Sequence, residues 1–201
     1  MSLWSGPALV LASKSQVRRS VLEAAGIPVE IRPADIDERG IEDAAGLAGP
    51  GDVAQHLAVA KAEAVAAALP DRLVLGADQT LSLDGRRFSK PADLAAARAQ
   101  LTALRGRTHE LHSGIALVQG RAVLYRHVAV ARLTMRDFSD DFLDAYLIEA
   151  GAAVSQSVGG YQLERIGIQL FEEVAGDHFT ILGLPLLPLL AHLRQIGRLA
   201  A

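Results

Sequence analysis

Apolar and polar positions change period several times along the chain, and each change marks an element. "ALVLA" (8–12) is a short apolar run that reads as a buried strand. After Ser13 and Ser15, either of which can cap a helix, apolar residues recur at helical spacing to about Ala25, and Gly26 supplies the stop. "VEIRP" (29–33) predicts a second strand, and "ADIDERGIEDAAGLAGPGD" an acidic loop. Asp52 is placed to cap an Ala-rich helix that runs to about Leu69 and ends at Pro70. "RLVLGAD" (72–78) is again apolar and continues through "QTLSL" to Asp84-Gly85, a hairpin signal. Beyond Lys90-Pro91, "ADLAAARAQLTALRG" has helical character, with Gly106 just past its end.

"THELHSGIALVQG" and "RAVLYRHVAVARLTM" are long β-rich runs joined at Gln119-Gly120, which predicts an antiparallel ribbon. A helix over 139–150 is opened by Ser139 and Asp140, "YQLERIGIQLFEEV" (161–174) reads as strand with a glycine irregularity, and a last helix follows Pro185. Helices and strands alternate, but hairpins are mixed in, so the expected fold is α/β with a mixed central sheet flanked by helices. No repeat, low-complexity tract or linker divides the chain, and residues 1–201 are expected to form a single domain.

Composition narrows the functional classes. With half of its 201 residues apolar, the chain can bury a full core. A net charge of −3 with scattered Lys and Arg gives no broad basic face, so nucleic acid is not an expected partner. The absence of cysteine excludes disulfides, thiolate metal sites and cysteine nucleophiles. "MSLWSGPALVLASKS" has no basic start and too short an apolar run for a signal peptide. "TILGLPLLPLLAHLRQIG" is too short, and carries two prolines, for a membrane anchor. The expected location is therefore the cytoplasm, without membrane attachment.

Lys14, Arg18 and Arg19 stand at the start of the first helix, the end where the macrodipole disfavours cations by about 0.3–1 kcal/mol each. A small anion would resolve the conflict, because a helix N-terminus offers N–H groups and arginine offers a bidentate fork for phosphate oxygens. No glycine-rich phosphate loop is present, so such a site must be built from side chains. Lys61 has Leu57, Ala58, Ala64 and Val65 as its helical neighbours and emerges from an apolar face; it either snorkels to water or enters a polar site. Lys90 is held in an extended segment by Pro91. Asp78 ends an apolar strand, a place that suits either a turn residue or an active-site carboxylate. "DIDE" (35–38) offers three carboxylates that could join Asp78 around a hard cation, or simply form an acidic surface. His109 and His112 would face opposite sides of a strand and are read as structural, and no G-x-S-x-G supports a serine mechanism.

The ordered set "LASKSQVRRSVLEAAGIP", "RPADIDE", "AVAKAEA", "VLGADQT", "FSKPAD", "LRGRTHELHSGIAL" and "LFEEVAGDHFTILGLPL" resembles the Maf family of nucleoside triphosphate pyrophosphatases from about residue 9 to 197. The resemblance implies a fold related to the inosine triphosphate pyrophosphatases, with an elongated sheet and a cleft between lobes, and implies a homodimer. It also implies metal-dependent cleavage, with Mg²⁺ or Mn²⁺, between the α and β phosphates of a nucleoside triphosphate. By position, Arg18, Lys61 and Lys90 resemble the phosphate-binding cations, Ser13 and Ser15 the serines of the S-x-S-P-R-R pattern, Glu38 the acidic partner and Asp78 the catalytic carboxylate. Asp78 and Glu38 are then the expected metal-holding pair. Gln16 replaces the proline of that pattern and Val17 its first arginine.

A triphosphate carries about four negative charges, and cations must neutralise what the transition state accumulates. Gln79 after the catalytic Asp, and Glu164 in "YQLERIGIQLF", resemble the branch acting on 7-methyl-GTP. A carboxylate can accept both N1–H and N2–H of guanine, whereas a uracil or thymine edge would meet it with acceptors. The alternatives are a dTTP or UTP pyrophosphatase of the same family, a nucleotide-binding regulator of cell division that does not hydrolyse, and a phosphatase acting on other phosphoesters.

Overall fold

The computed structural model describes residues 3–47 and 49–200. A sheet of seven strands runs through it: β1 (Leu9–Leu11), β2 (Val29–Ile31), β3 (Leu73–Leu83), β4 (Arg86–Phe88), β5 (Thr108–Gln119), β6 (Ala122–Met135) and β7 (Phe171–Ala175). The order is β2-β1-β3-β5-β6-β7, with β4 paired to β3 off this path. β1 is parallel to β2 and β3, while the pairings around β4, β5, β6 and β7 are antiparallel. This is the expected mixed sheet. The Asp84-Gly85 turn joins β3 to β4 with both residues at positive φ, 49° and 79°, the conformation of a two-residue type I′ hairpin.

The described residues form seven α-helices: α1 (Gln16–Ala24), α2 (Glu38–Ala45), α3 (Pro50–Ala66), α4 (Leu94–Leu104), α5 (Asp140–Ala150), α6 (His178–Ile181) and α7 (Leu186–Gln195). Strand periodicity divides the core. Val74 of β3 faces α3 with Ala58, Ala62 and Val65, whereas Leu73, Leu75 and Ala77 face α1 and α7 with Leu22, Leu189 and Leu193. Further along, Leu81 and Leu83 pack with α4 and α5 through Leu101, Leu104, Leu143 and Leu147. Gly76 lets α3 lie directly on the sheet: a Cβ there would stand 2.0 Å from the Ala58 carbonyl oxygen. Gly114, on the neighbouring strand, would likewise meet the Ala54 backbone at 2.6 Å. No helix among the described residues is long and apolar enough to cross a membrane, and the Leu-rich C-terminal stretch buries Leu186, Leu189 and Leu193 in the core.

Three elements differ from the sequence-based expectation. The acidic loop contains α2, capped by Asp37, whose Oδ1 accepts the Gly40 N–H at 3.1 Å. α3 starts at Pro50 with Gly49 as its N-cap, not at Asp52. Proline suits the first helical position, and Asp52 sits in the first turn where the macrodipole favours it. In 161–174 only residues from Phe171 are strand; Ile166–Leu170 is a 3₁₀ turn, folded so tightly that a Cβ on Gly167 would meet the Gln162 carbonyl oxygen at 2.4 Å.

Candidate active site

β3 pairs with β1 at Val74 and Leu75 and with β4 from Leu81 onward, so residues 76–80 have no strand partner on that side. Side chains from both faces of the sheet can reach this gap, and it opens into a cleft of about 1180 Å³. Ser13, Ser15, Arg18, Glu38, Lys61, Asp78, Gln79, Lys90 and Glu164 all line it. These nine residues therefore meet in one cavity, although they come from six separate segments.

Asp78 shares a strand face with Gly76 and points toward α3. Lys61, on the turn of α3 that Gly76 admits, places Nζ 2.6 Å from Asp78 Oδ1 and 2.9 Å from Glu38 Oε1. Its side chain is 12% exposed, so of the two readings of this lysine the polar site holds and snorkelling does not. Glu38 arrives as the first residue of α2, through the helix that sequence patterning missed. Burial pushes the Asp78 carboxyl up from its ordinary range, while the Lys61 and Arg18 charges pull it down.

Arg18 fills the gap left in the sheet. Its Nη1 donates to the Ala77 carbonyl at 2.9 Å and to Ser13 Oγ at 3.0 Å, and its Nε donates to the Gly183 carbonyl at 2.8 Å. Among the described residues, no hydrogen bond is made by Nη2. Burial lowers its pKa, opposed by the charges of Asp78 and Glu38. Ser15 caps α1 by accepting the Arg18 N–H at 3.3 Å. Lys14 also lines the cleft, but Arg19 does not join the cluster: it pairs with Glu23 at 2.7 Å on the exposed side of α1. The i,i+4 partner thus answers the charge conflict at Arg19, while Arg18 and Lys14 face the cleft.

Gln79 lies on the opposite face of β3 from Asp78. Its Nε2 is within 2.9 Å of Ser113 Oγ, 3.0 Å of the Ile181 carbonyl and 3.2 Å of the Thr180 carbonyl, which ties the 180–183 turn to the cleft floor. Glu164 is exposed on the far wall, in a turn and not in the expected strand. That wall is fixed from behind: Tyr146 Oη donates to the Gly160 carbonyl at 3.2 Å, and Tyr161 Oη lies 2.7 Å from Nε2 of the fully buried His109. Lys90 is exposed at the edge of the cleft. Sequence patterning passed over Arg87 and Glu42, which also line the cleft and pair at 2.7 Å. The alternation on β4 could have shown Arg87 facing away from Arg86, but Glu42 needed α2.

Asp78 and Glu38 could together hold a metal. Asp37 caps α2 and does not line the cleft, and no group of three or more His, Cys, Asp or Glu among the described residues is placed to bind one. Two carboxylates that already share an ammonium suit a divalent cation whose other ligands are phosphate oxygens and water, as Mg²⁺ commonly takes.

A family model described as Maf-like protein matches residues 8–196. The chain is 56% identical over 201 residues, 100% of both chains, to a nucleoside triphosphate pyrophosphatase of Rhodopseudomonas palustris strain BisB18. It is 52% identical over 193 residues, 95% of this chain and 97% of the other, to a 7-methyl-GTP pyrophosphatase of Rhizobium etli. A HAM1 protein from Coxiella burnetii aligns with a TM-score of 0.46 and 17% identity over 66% of this chain and 75% of that one. The match to the family model across nearly the whole length, together with relatives above half identity, establishes that the chain belongs to the Maf-like family.

Proposed function

We propose that this protein is a nucleoside triphosphate pyrophosphatase that adds water at the α phosphorus, breaks the bond to the bridging α–β oxygen, and releases a nucleoside monophosphate and pyrophosphate. The observation that carries this reading is Lys61 bridging Asp78 and Glu38 inside a cleft also lined by Arg18 and Lys90. Asp78 orients the attacking water and takes its proton, a role favoured by burial that raises its carboxyl. Arg18 offers Nη2 to phosphate oxygens while its other nitrogens stay fixed to Ala77, Ser13 and Gly183. Lys61 and Lys90 add further positive charge. A divalent cation, Mg²⁺ or Mn²⁺, held by Asp78 and Glu38 would supply charge neutralisation on the phosphate oxygens.

Among bases the reading favours guanine, with 7-methyl-GTP first. Its support is Glu164 on the exposed cleft wall, Gln79 beside Asp78, and the name carried by the Rhizobium etli relative. Incubating the purified protein with a panel of nucleoside triphosphates and Mg²⁺ or Mn²⁺, then resolving the products, tests both levels. Monophosphate and pyrophosphate are expected, whereas diphosphate and orthophosphate would refute α–β cleavage.

A further inference from the structure

α2 buries no residue and contributes to none of the three apolar cores among the described residues. Two cleft-lining glutamates four residues apart instead join it to cations across the cleft. Glu38 meets Lys61 at 2.9 Å, and Glu42 meets Arg87 Nη1 at 2.7 Å. Because i,i+4 side chains start about 5–6 Å apart on one helix face, the two cations are presented roughly one helix turn from each other. Arg87 is also three residues before Lys90, a stretch of chain no longer than about 11 Å. It therefore lies near two cations assigned to the triphosphate, and it lines the same cleft.

The present partner of Arg87 is a weak competitor. The Arg87 side chain is about one-third exposed and that of Glu42 about one-quarter, and ion pairs of that kind hold loosely, whereas a phosphate offers the guanidinium fork more than one charged oxygen. We propose that Arg87 is a further triphosphate-binding residue, held by Glu42 in the free protein and transferred to phosphate oxygens when the nucleotide enters. Glu42 then acts as a competitor that tunes substrate affinity. This inference rests on the nucleotide reading above. It makes a prediction about sign that a merely bracing ion pair does not: the two partners should affect binding in opposite directions.

The test measures the affinity of the full chain for inorganic tripolyphosphate by calorimetry, alongside kcat and KM for whichever nucleoside triphosphate the wild type turns over. Arg87→Met should weaken tripolyphosphate binding about tenfold and raise KM more than it lowers kcat, as expected for loss of a charge-assisted contact. Glu42→Gln should tighten binding about two- to fivefold, the scale of an exposed ion pair. In the Arg87→Met background, Glu42→Gln should bring no such gain. Thermal melts of each variant check that folding is retained, and Arg87→Lys should recover part of the lost affinity. Weakened binding by folded Glu42→Gln would mean that the pair only braces α2 and would overturn the proposal. An equal gain from Glu42→Gln with and without Arg87 would reduce it to a general field effect and overturn it too. A wild type that binds no tripolyphosphate but cleaves nucleoside triphosphates would overturn this inference alone. A wild type that does neither would overturn the nucleotide reading as well.

Discussion

Lys61 and Asp78 meet at 2.6 Å with side chains 12% and 11% exposed, an ion pair between α3 and the one stretch of β3 that lacks a neighbour on its β1 side. Removing one member of a buried pair leaves the other uncompensated, at a cost of about 3–5 kcal/mol in well-buried cases. The two members are not equivalent here. Lys61 keeps Glu38 as a direct partner if Asp78 is changed, whereas Asp78 without Lys61 keeps only the Arg18 charge, with no ion-pair contact, against a burial that already pushes it up. Lys61→Met should therefore destabilise more than Asp78→Asn at pH 7. The difference should narrow as pH is lowered, because burial favours the protonated Asp78 carboxyl; thermal melts at neutral and acidic pH check this ordering. In turnover the ranking is set by chemistry: folded Asp78→Asn should lose a factor on the order of 10² or more, and near-normal rates would refute its role as base.

Gly76 links packing to the site. An added methyl would stand 2.0 Å from the Ala58 carbonyl and 2.8 Å from the Ala62 nitrogen, both backbone atoms of α3 that cannot rotate away. Gly76→Ala should cost about 3 kcal/mol or more, at the upper end of overpacking, and should reduce activity because the displaced helix carries Lys61. Gly85→Ala is the control. At φ 79° with no atom within 4 Å, it should cost only about 1–2 kcal/mol of backbone strain. Urea unfolding of the two variants gives the comparison directly.

His109 should set part of the acid limit of stability. It is fully buried, and burial lowers its pKa from 6.5 to about 4. Above pH 6.5 the ring is neutral in both folded and unfolded chains and contributes no pH dependence. Below that, the unfolded chain takes up the proton while the folded chain does not, so stability falls as pH drops from 6.5 toward 4. The loss should reach about 2–3 kcal/mol near pH 4.5, from 1.36 kcal/mol per pH unit. His109→Gln, which keeps a hydrogen-bonding group for Tyr161, should flatten this limb when unfolding is measured between pH 7 and 4.5. An unchanged slope would show that the imidazole is not its source.

Much of this was legible in the sequence because it depends on local pattern. The β5–β6 ribbon, the Asp84-Gly85 hairpin and the Ser139 cap follow from period and turn chemistry, and the structure has them where expected. α2 was not legible: its apolar face is only Ile41, Ala44 and Ala45 within an acidic stretch, none of them is buried, and ion pairs to distant residues hold it to the cleft. The strand expected from Tyr161 fails because Gly167 folds back on Gln162, a contact that alternation of side chains cannot reveal. The cations show the same division. Lys61 betrayed itself by its apolar neighbours, but Arg18 and Arg19 look alike in sequence, and only the position of Glu23 one turn later separates the outer arginine from the inner one.

The base should be read at Glu164. It stands exposed in a turn on the cleft wall, and the backbone behind it is held by the hydrogen bonds at Tyr146 and Tyr161. A carboxylate at the end of a fixed wall can accept both N1–H and N2–H of a guanine edge, and methylation at N7 adds positive charge that strengthens the attraction. Uracil or thymine presents acceptors on either side of a single N–H and would be repelled. Glu164→Gln keeps the size of the side chain but replaces one accepting oxygen with a donor, which must then face a guanine donor. The variant should therefore lose about 1–3 kcal/mol of preference for guanine nucleotides over UTP and dTTP, read as the ratio of kcat/KM values, with little change in stability because the side chain is exposed. Competition kinetics with 7-methyl-GTP, GTP, UTP and dTTP on wild type and variant measure that ratio. A wild type that favours UTP or dTTP, or a ratio indifferent to Glu164→Gln, would remove Glu164 from base selection while leaving α–β cleavage intact.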